Sequence, residues 1–148
     1  MVEFAAASKL VRSDFDLIEN LTKTRQSFIL TDPRLADNPI VYASRAFLSL
    51  TGYTREQVIG RNCRFLQGID TDPSAVAVIR EAIESGTDGA ICLLNYKADE
   101  TPFWNQLFVA ALRRDRENQI ANFVRQHRPF GIMFQSPCLL LFVSGRSD

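Results

Sequence analysis

The sequence lacks a surplus of charge of either sign: 17 basic side chains balance 17 acidic ones across 148 residues. The missing uniform positive field, which would hold a phosphate backbone, argues against a dedicated nucleic-acid binder. The run Arg113, Arg114 and Arg116 is interrupted by Asp115 and reads as a solvated turn. Histidine is scarcer still. His127 stands alone, with no second imidazole for a His-based metal cluster and no Gly-x-Ser-x-Gly elbow beside it, which sets aside zinc-dependent and serine-hydrolase chemistry. The three cysteines, Cys63, Cys92 and Cys138, include no Cys-x-x-Cys pair. That excludes a disulfide framework and points to a reducing compartment. Long apolar runs are missing too. No basic start precedes an apolar stretch at the N-terminus, and the apolar tail from Phe130 to Val143 is broken by Gln135, Ser136 and Pro137. The expectation is a soluble intracellular chain with neither signal peptide nor spanning helix, and no membrane partner.

What is present is globular. Hydrophobic residues at 46% and charged residues at 23% exclude disordered and fibrous classes, and the length suits one domain. From Glu3 to Leu21, Phe4, Leu10, Val11, Phe15, Ile18 and Leu21 recur at helical spacing, giving a flanking amphipathic helix or two. Its apolar stripe covers either the domain's own sheet or a second copy of the chain. Gln26–Thr31 and Ile40–Ala43 read as a β-hairpin joined by a loop with two prolines, Pro33 and Pro39. Ser44 caps a short helix ending near Gly52, Thr54 and Gln57 form a capping box for a second closed by Gly60, and Cys63–Leu66 form a third helical turn. Asp72, Pro73 and Gly86 bound the best-signalled helix. Strands at Ala90–Lys97, Phe103–Leu112 and Gln119–Val124 complete an antiparallel meander. This order gives an α+β domain, one antiparallel sheet with short helices gathered on one face.

Two places break the local pattern. Asn95 extends the row Ile91, Leu93, and Asn105 interrupts the row Phe103, Leu107, Val109, so two carboxamides fall together on a buried surface. Left unmatched they cost on the order of a few kcal/mol each. Either they bond each other and the backbone, or a planar heterocycle with alternating C=O and N–H groups answers them. The second place is Gly60-Arg61-Asn62-Cys63-Arg64-Phe65-Leu66-Gln67, followed by Arg80 on the well-capped helix. Two arginines on adjacent helical elements can clamp a phosphate or stay solvated. Cys63 is the one thiol in that cluster, with no histidine beside it in sequence to activate it, whereas Cys92 and Cys138 read as packing residues.

These residues resemble the flavin-binding light-oxygen-voltage (LOV) domains of the PAS fold. The resemblance rests on Gly60–Gly68, on Ile29–Pro33, Asp37–Ile40, Leu50–Tyr53, Leu94–Tyr96 and Phe103–Asn105, and it spans about residues 14 to 124. Cys92–Tyr96 and Asn105–Arg113 look most like the aureochromes, algal blue-light transcription factors. The likeness implies a PAS fold: a five-stranded antiparallel sheet with short helices on one face. It divides the chain into an N-terminal flanking segment (1–24), a core (25–127) and a divergent extension (128–148). It further implies bound FMN, with Cys63 as the photoactive thiol that adds to flavin C4a under blue light and lets go in the dark. Arg64 and Arg80 would hold the phosphate, and Asn38, Asn62 and Gln67 the ribityl chain and ring edge. Asn95 and Asn105 would hold the pyrimidine edge, and Phe47, Leu66, Val76, Ile79, Ile83, Leu93, Leu107, Val109 and Phe123 the apolar walls. On that resemblance the chain is a photosensor rather than a turnover enzyme, nuclear if part of an aureochrome, with a homodimer through flanking helices or sheet. An aureochrome also carries a basic leucine zipper, and neither a basic arm nor leucine heptads occur here.

One stretch departs from the family. Its members end the last strand Asn-Phe/Tyr-Val/Ile-Gly-Val-Gln, the glutamine passing the flavin's protonation change to the sheet. Here Asn122-Phe123-Val124 is followed by Arg125-Gln126-His127. His127 holds the glutamine position, and Gln126 has the wrong strand parity unless a bulge shifts it. The rival readings are a PAS-like interaction module that has lost its flavin, and a flavin oxidoreductase, disfavoured because no nicotinamide fingerprint is evident.

Overall fold

The computed structural model describes residues 12–114 and 120–130. The expected helix start at Glu3, Asp115 and Arg116 of the polar turn, Gln119, Cys138 and the tail after Phe130 lie outside them. The elements run α1 (Arg12–Lys23), β1 (Phe28–Thr31), β2 (Ile40–Ala43), α2 (Arg45–Thr51), α3 (Arg55–Val58), a 3-10 turn (Cys63–Leu66), α4 (Pro73–Ser85), β3 (Gly89–Tyr96), β4 (Pro102–Arg113) and β5 (Ile120–Phe130). The strands form one antiparallel sheet in the order β2-β1-β5-β4-β3, so the last strand of the chain lies in the middle.

Local chemistry accounts for most element ends. Ser44 Oγ accepts from the Phe47 N–H at the start of α2 and from the Phe28 N–H on β1, stapling helix to strand. Gly52 ends α2 at φ +77°, where a side chain would be strained. Thr54 and Gln57 exchange both bonds of the capping box. The Asp72 side chain accepts from the Ser74 N–H with Pro73 at the first helical position, and Gly86 closes α4 at φ +66°.

The sheet divides the core. On one side Ile18 and Leu21 of α1 bury against Phe28, Leu30, Leu112 and Val124. The amphipathic stripe therefore covers the chain's own sheet. On the other side α2, α3 and the 3-10 turn gather around Ile29, Ile40, Phe47 and Val58, while α4 lays Ala75 and Ile79 over Leu93, Leu107, Val109 and Phe123. Burying each large side chain contributes roughly 1.5–3 kcal/mol.

β5 is longer than its sequence pattern suggests, reaching Phe130 rather than Val124. Its pairing with β4 is unbroken from Asn122 to Phe130, the one irregularity lying between Leu112 and Arg113. No bulge rescues Gln126. It stays on the α1 side of the sheet, where its Nε2 donates to Gln26 Oε1 at 3.3 Å. Phe123, Arg125 and His127 face the opposite side, as strand alternation requires.

Candidate functional site

The loop between α3 and α4 is held from three directions. The Ile40 N–H donates to Arg61 O and the Gly60 N–H to Ile40 O, tying it to β2. Asn62 caps the 3-10 turn by accepting from the Arg64 N–H, while its Nδ2 donates to Asp37 O at 2.7 Å. Arg61 stacks over the Phe65 ring, which meets Tyr53 edge-on. Cys63 is thereby fixed at the head of the turn, 7% exposed.

Cys63 forms part of the wall of a cavity of about 410 Å³, within the usual range of small-molecule sites. Of the residues singled out from sequence, the cavity brings together Asn38, Asn62, Cys63, Arg64 and Gln67 from the loops, Val76, Ile79, Arg80 and Ile83 from α4, and Leu93 and Leu107 from the sheet. Phe47, Leu66, Asn95, Asn105, Val109 and Phe123 do not line it and are all buried.

The two asparagines meet diagonally, Asn95 facing Phe103 and Asn105 facing Leu93 across the β3–β4 pair. Asn105 Nδ2 donates to Asn95 Oδ1 at 2.9 Å, and Asn95 Nδ2 to Leu66 O at 3.3 Å. The amides do bond each other, yet Asn105 Oδ1 is left buried without a donor, as is Asn38 Oδ1. Each such orphan costs about 1–3 kcal/mol.

The mouth of the cavity is basic, with acid beside it. Asp37 and Asn38 both take left-handed backbone conformations, and the Asp37 carboxylate receives both arms of Arg64, at 2.5 and 2.6 Å. That bonding holds the Asp37 carboxyl below its ordinary range and raises Arg64 above its own. Arg80 and Glu84 line the same mouth. The pair is more than half exposed on both sides, so a competing anion meets little resistance.

Sequence reasoning passed over three lining residues: Asp37, Glu84 and Arg125. The first two carried no signal of their own. Arg125 did, because strand parity puts it on the face of Phe123 and His127. Its side chain lines the cavity, is 8% exposed, and its Nε makes no hydrogen bond. His127 is buried beside it, opposite Leu107 and edge-on to Phe47 with ring centroids 5.1 Å apart. Burial first, and the Arg125 charge second, push its imidazole down to about 3.

The set fits most of FMN. An apolar slot between α4 and the sheet suits a flat ring, Asn38 Oδ1 lacks a donor such as a ribityl hydroxyl, and the guanidinium groups of Arg64 and Arg80 suit a phosphate; Asn105 Oδ1 also lacks a donor, but Asn105 is not among the lining residues. Among the described residues no cluster could hold a metal ion, and no helix is long and apolar enough to cross a membrane.

A PAS domain model matches residues 25–125. The chain is 44% identical to phototropin-2 of Oryza sativa subsp. japonica over 122 residues, 82% of this chain and 13% of that protein. It is 47% identical over 95 residues to blue-light-activated histidine kinase 1 of Erythrobacter litoralis, 64% of this chain and 26% of the kinase. It therefore spans only a small part of these relatives. Among solved structures, a light-oxygen-voltage domain whose mechanism was probed with a flavin analogue superposes at a TM-score of 0.77 with 48% identity, over 82% of this chain and 90% of that one. The dark structure of the aureochrome1 LOV domain superposes at 0.73 with 53% identity, over 78% and 83%.

Proposed function

The chain belongs to the LOV photoreceptor branch of the PAS domain family, and from that premise we propose that it senses blue light by holding FMN and presenting Cys63 to it. The observation that carries the reading is one cavity whose wall includes a buried thiol, an apolar slot and a mouth with two arginines. When bound beside Cys63, FMN would supply a blue-absorbing ring able, once excited, to take up the Cys63 sulfur and its proton.

The protein's part is positional. Asn62, by capping the 3-10 turn, keeps Sγ at the slot. Ile79 and Leu107 exclude water from it. Arg64 exchanges Asp37 for phosphate, and Asn105 Oδ1, which lacks a donor but lies outside the cavity lining, gains one only as the wall yields to the ring. No base beside Cys63 is required, because the proton acceptor arrives with the ligand. Light takes the place of a substrate, and the output is a bias in what packs on the sheet. The absence of turnover, dimerisation through flanking helices or sheet, and an intracellular, nuclear setting belong to this proposal on the strength of the resemblance.

The test is an absorption spectrum before and after a blue flash. The purified chain is yellow, loses its blue absorption on illumination and recovers in darkness; Cys63→Ala stays yellow and no longer bleaches. A yellow wild type that does not bleach refutes the thiol chemistry. A second reading, an interaction module without flavin, is favoured by one observation, the charged Arg125 in the cavity wall, and colourless protein would support it.

A further inference from the structure

Arg125 is the one cation lining the cavity that the flavin reading does not call for. It stands in the middle of the central strand, between Ile29 of β1 and Val109 of β4. It is more than nine-tenths buried, its Nε has no acceptor, and among the described residues no carboxylate pairs with it; Glu84 lines the same cavity outside ion-pair range. Nε alone is buried without a partner, while the terminal amines are free to bond a ligand in the cavity that Arg125 lines. The other two arginines stand at the mouth, where Asp37 already neutralises one of them. Arg125 stands on the sheet wall with Leu107. The cavity therefore presents guanidinium groups at two separate places, and a ligand that satisfies both carries an anion at its tail and an acceptor-rich or negative ring.

We propose that Arg125 bonds the acceptor edge of the ring held in this cavity and makes the site prefer the ring's reduced, anionic form over its neutral oxidised form. The inference rests on the FMN reading. Oxidised FMN has an uncharged ring; after taking up two electrons and one proton the ring bears a negative charge. A fixed cation in a water-poor wall binds the second form more tightly than the first, and by linkage raises the potential at which the bound ring is reduced. A neutral side chain at position 125 gives no such preference.

The experiment uses the full chain reconstituted with FMN, reduced by dithionite against a reference dye, and fluorescence titration of oxidised FMN. Arg125→Gln lowers the affinity ratio of reduced to oxidised FMN at least tenfold, a fall of about 30 mV in the two-electron potential. Arg125→Lys, which keeps the charge, changes it less than threefold. Arg125→Gly, which removes the side chain, behaves as Arg125→Gln and serves in its place should the glutamine variant not fold. A wild type that holds FMN and bleaches in blue light, with a ratio unmoved within twofold by Gln and Gly, overturns this inference and leaves the proposed function standing. FMN bound by Arg125→Gly but not by wild type overturns it as well, since the guanidinium would then occupy the ring's place. No FMN bound by any form removes both.

Discussion

Lowering the pH from 7.5 to 5.0 should destabilise this domain through one side chain. His127 is the chain's single histidine, 4% exposed, and burial together with the neighbouring Arg125 charge moves its imidazole from 6.5 down to about 3. In the unfolded chain it takes a proton as the pH falls through 6.5, and in the folded chain it does not until about 3. Between those values the unfolded state binds more protons, so stability is complete above the upper value and declines below it at about 1.4 kcal/mol per pH unit. By pH 5.0 the loss is about 2 kcal/mol, a large share of the 5–15 kcal/mol that typical domains possess. Asp32 and Asp37 do not blur the window, because their bonds to Arg34 and Arg64 hold both carboxyls below their ordinary 3.8. Urea unfolding followed by far-UV circular dichroism at the two pH values measures the loss, and His127→Gln abolishes it. Equal stability of the wild type at both pH values, or the same decline in the glutamine variant, refutes the argument.

Two further substitutions probe the frame of the cavity. A methyl group at Gly68 would drive into the Tyr96 ring, which is itself pinned because its hydroxyl accepts from the Asp70 N–H at 3.1 Å; Gly68→Ala costs about 1–3 kcal/mol, and an unchanged melting temperature counts against that packing. Asp37→Asn releases Arg64 from its ion pair at an exposed position, so thermal stability holds while FMN binds more tightly in a fluorescence titration; unchanged or weaker binding argues that Arg64 does not hold the phosphate.

Much of this was legible because it is local. The α4 helix announces itself through Asp72, Pro73 and Gly86, whose backbone roles depend on immediate neighbours alone. Asn95 and Asn105 stand out because a polar residue in an alternating apolar row is visible without knowing what the row faces. The Asp37–Arg64 pair was not legible, since it joins residues 27 apart through a loop whose left-handed turns carry no signal beyond Asp and Asn themselves. Nor was the reach of β5. Arg125-Gln126-His127-Arg128-Pro129 looks like the polar exit of a strand, and only the neighbours make it one. β1 pairs it up to Gln126, with the His127 N–H donating to Ser27 O. β4 alone continues to Phe130, so Pro129, which has no N–H to give, falls where β1 no longer needs one.

That placement explains why departures confined to one short stretch matter for the whole domain. In a central strand, alternate residues serve opposite faces. Arg125 and His127 put charge and a buried imidazole on the cavity side, while Gln126 between them bonds Gln26 just beyond the end of α1. The backbone of His127 meets Ser27 in the same junction. A ligand that shifts the backbone at Arg125 acts on the strand that also anchors the α1 end, because the two sets of contacts share consecutive peptide units and no bulge lies among them to absorb the shift. The strand that carries Arg125 into the cavity is thus the one whose next two residues join it to the segment following α1, so a backbone shift at one reaches the other.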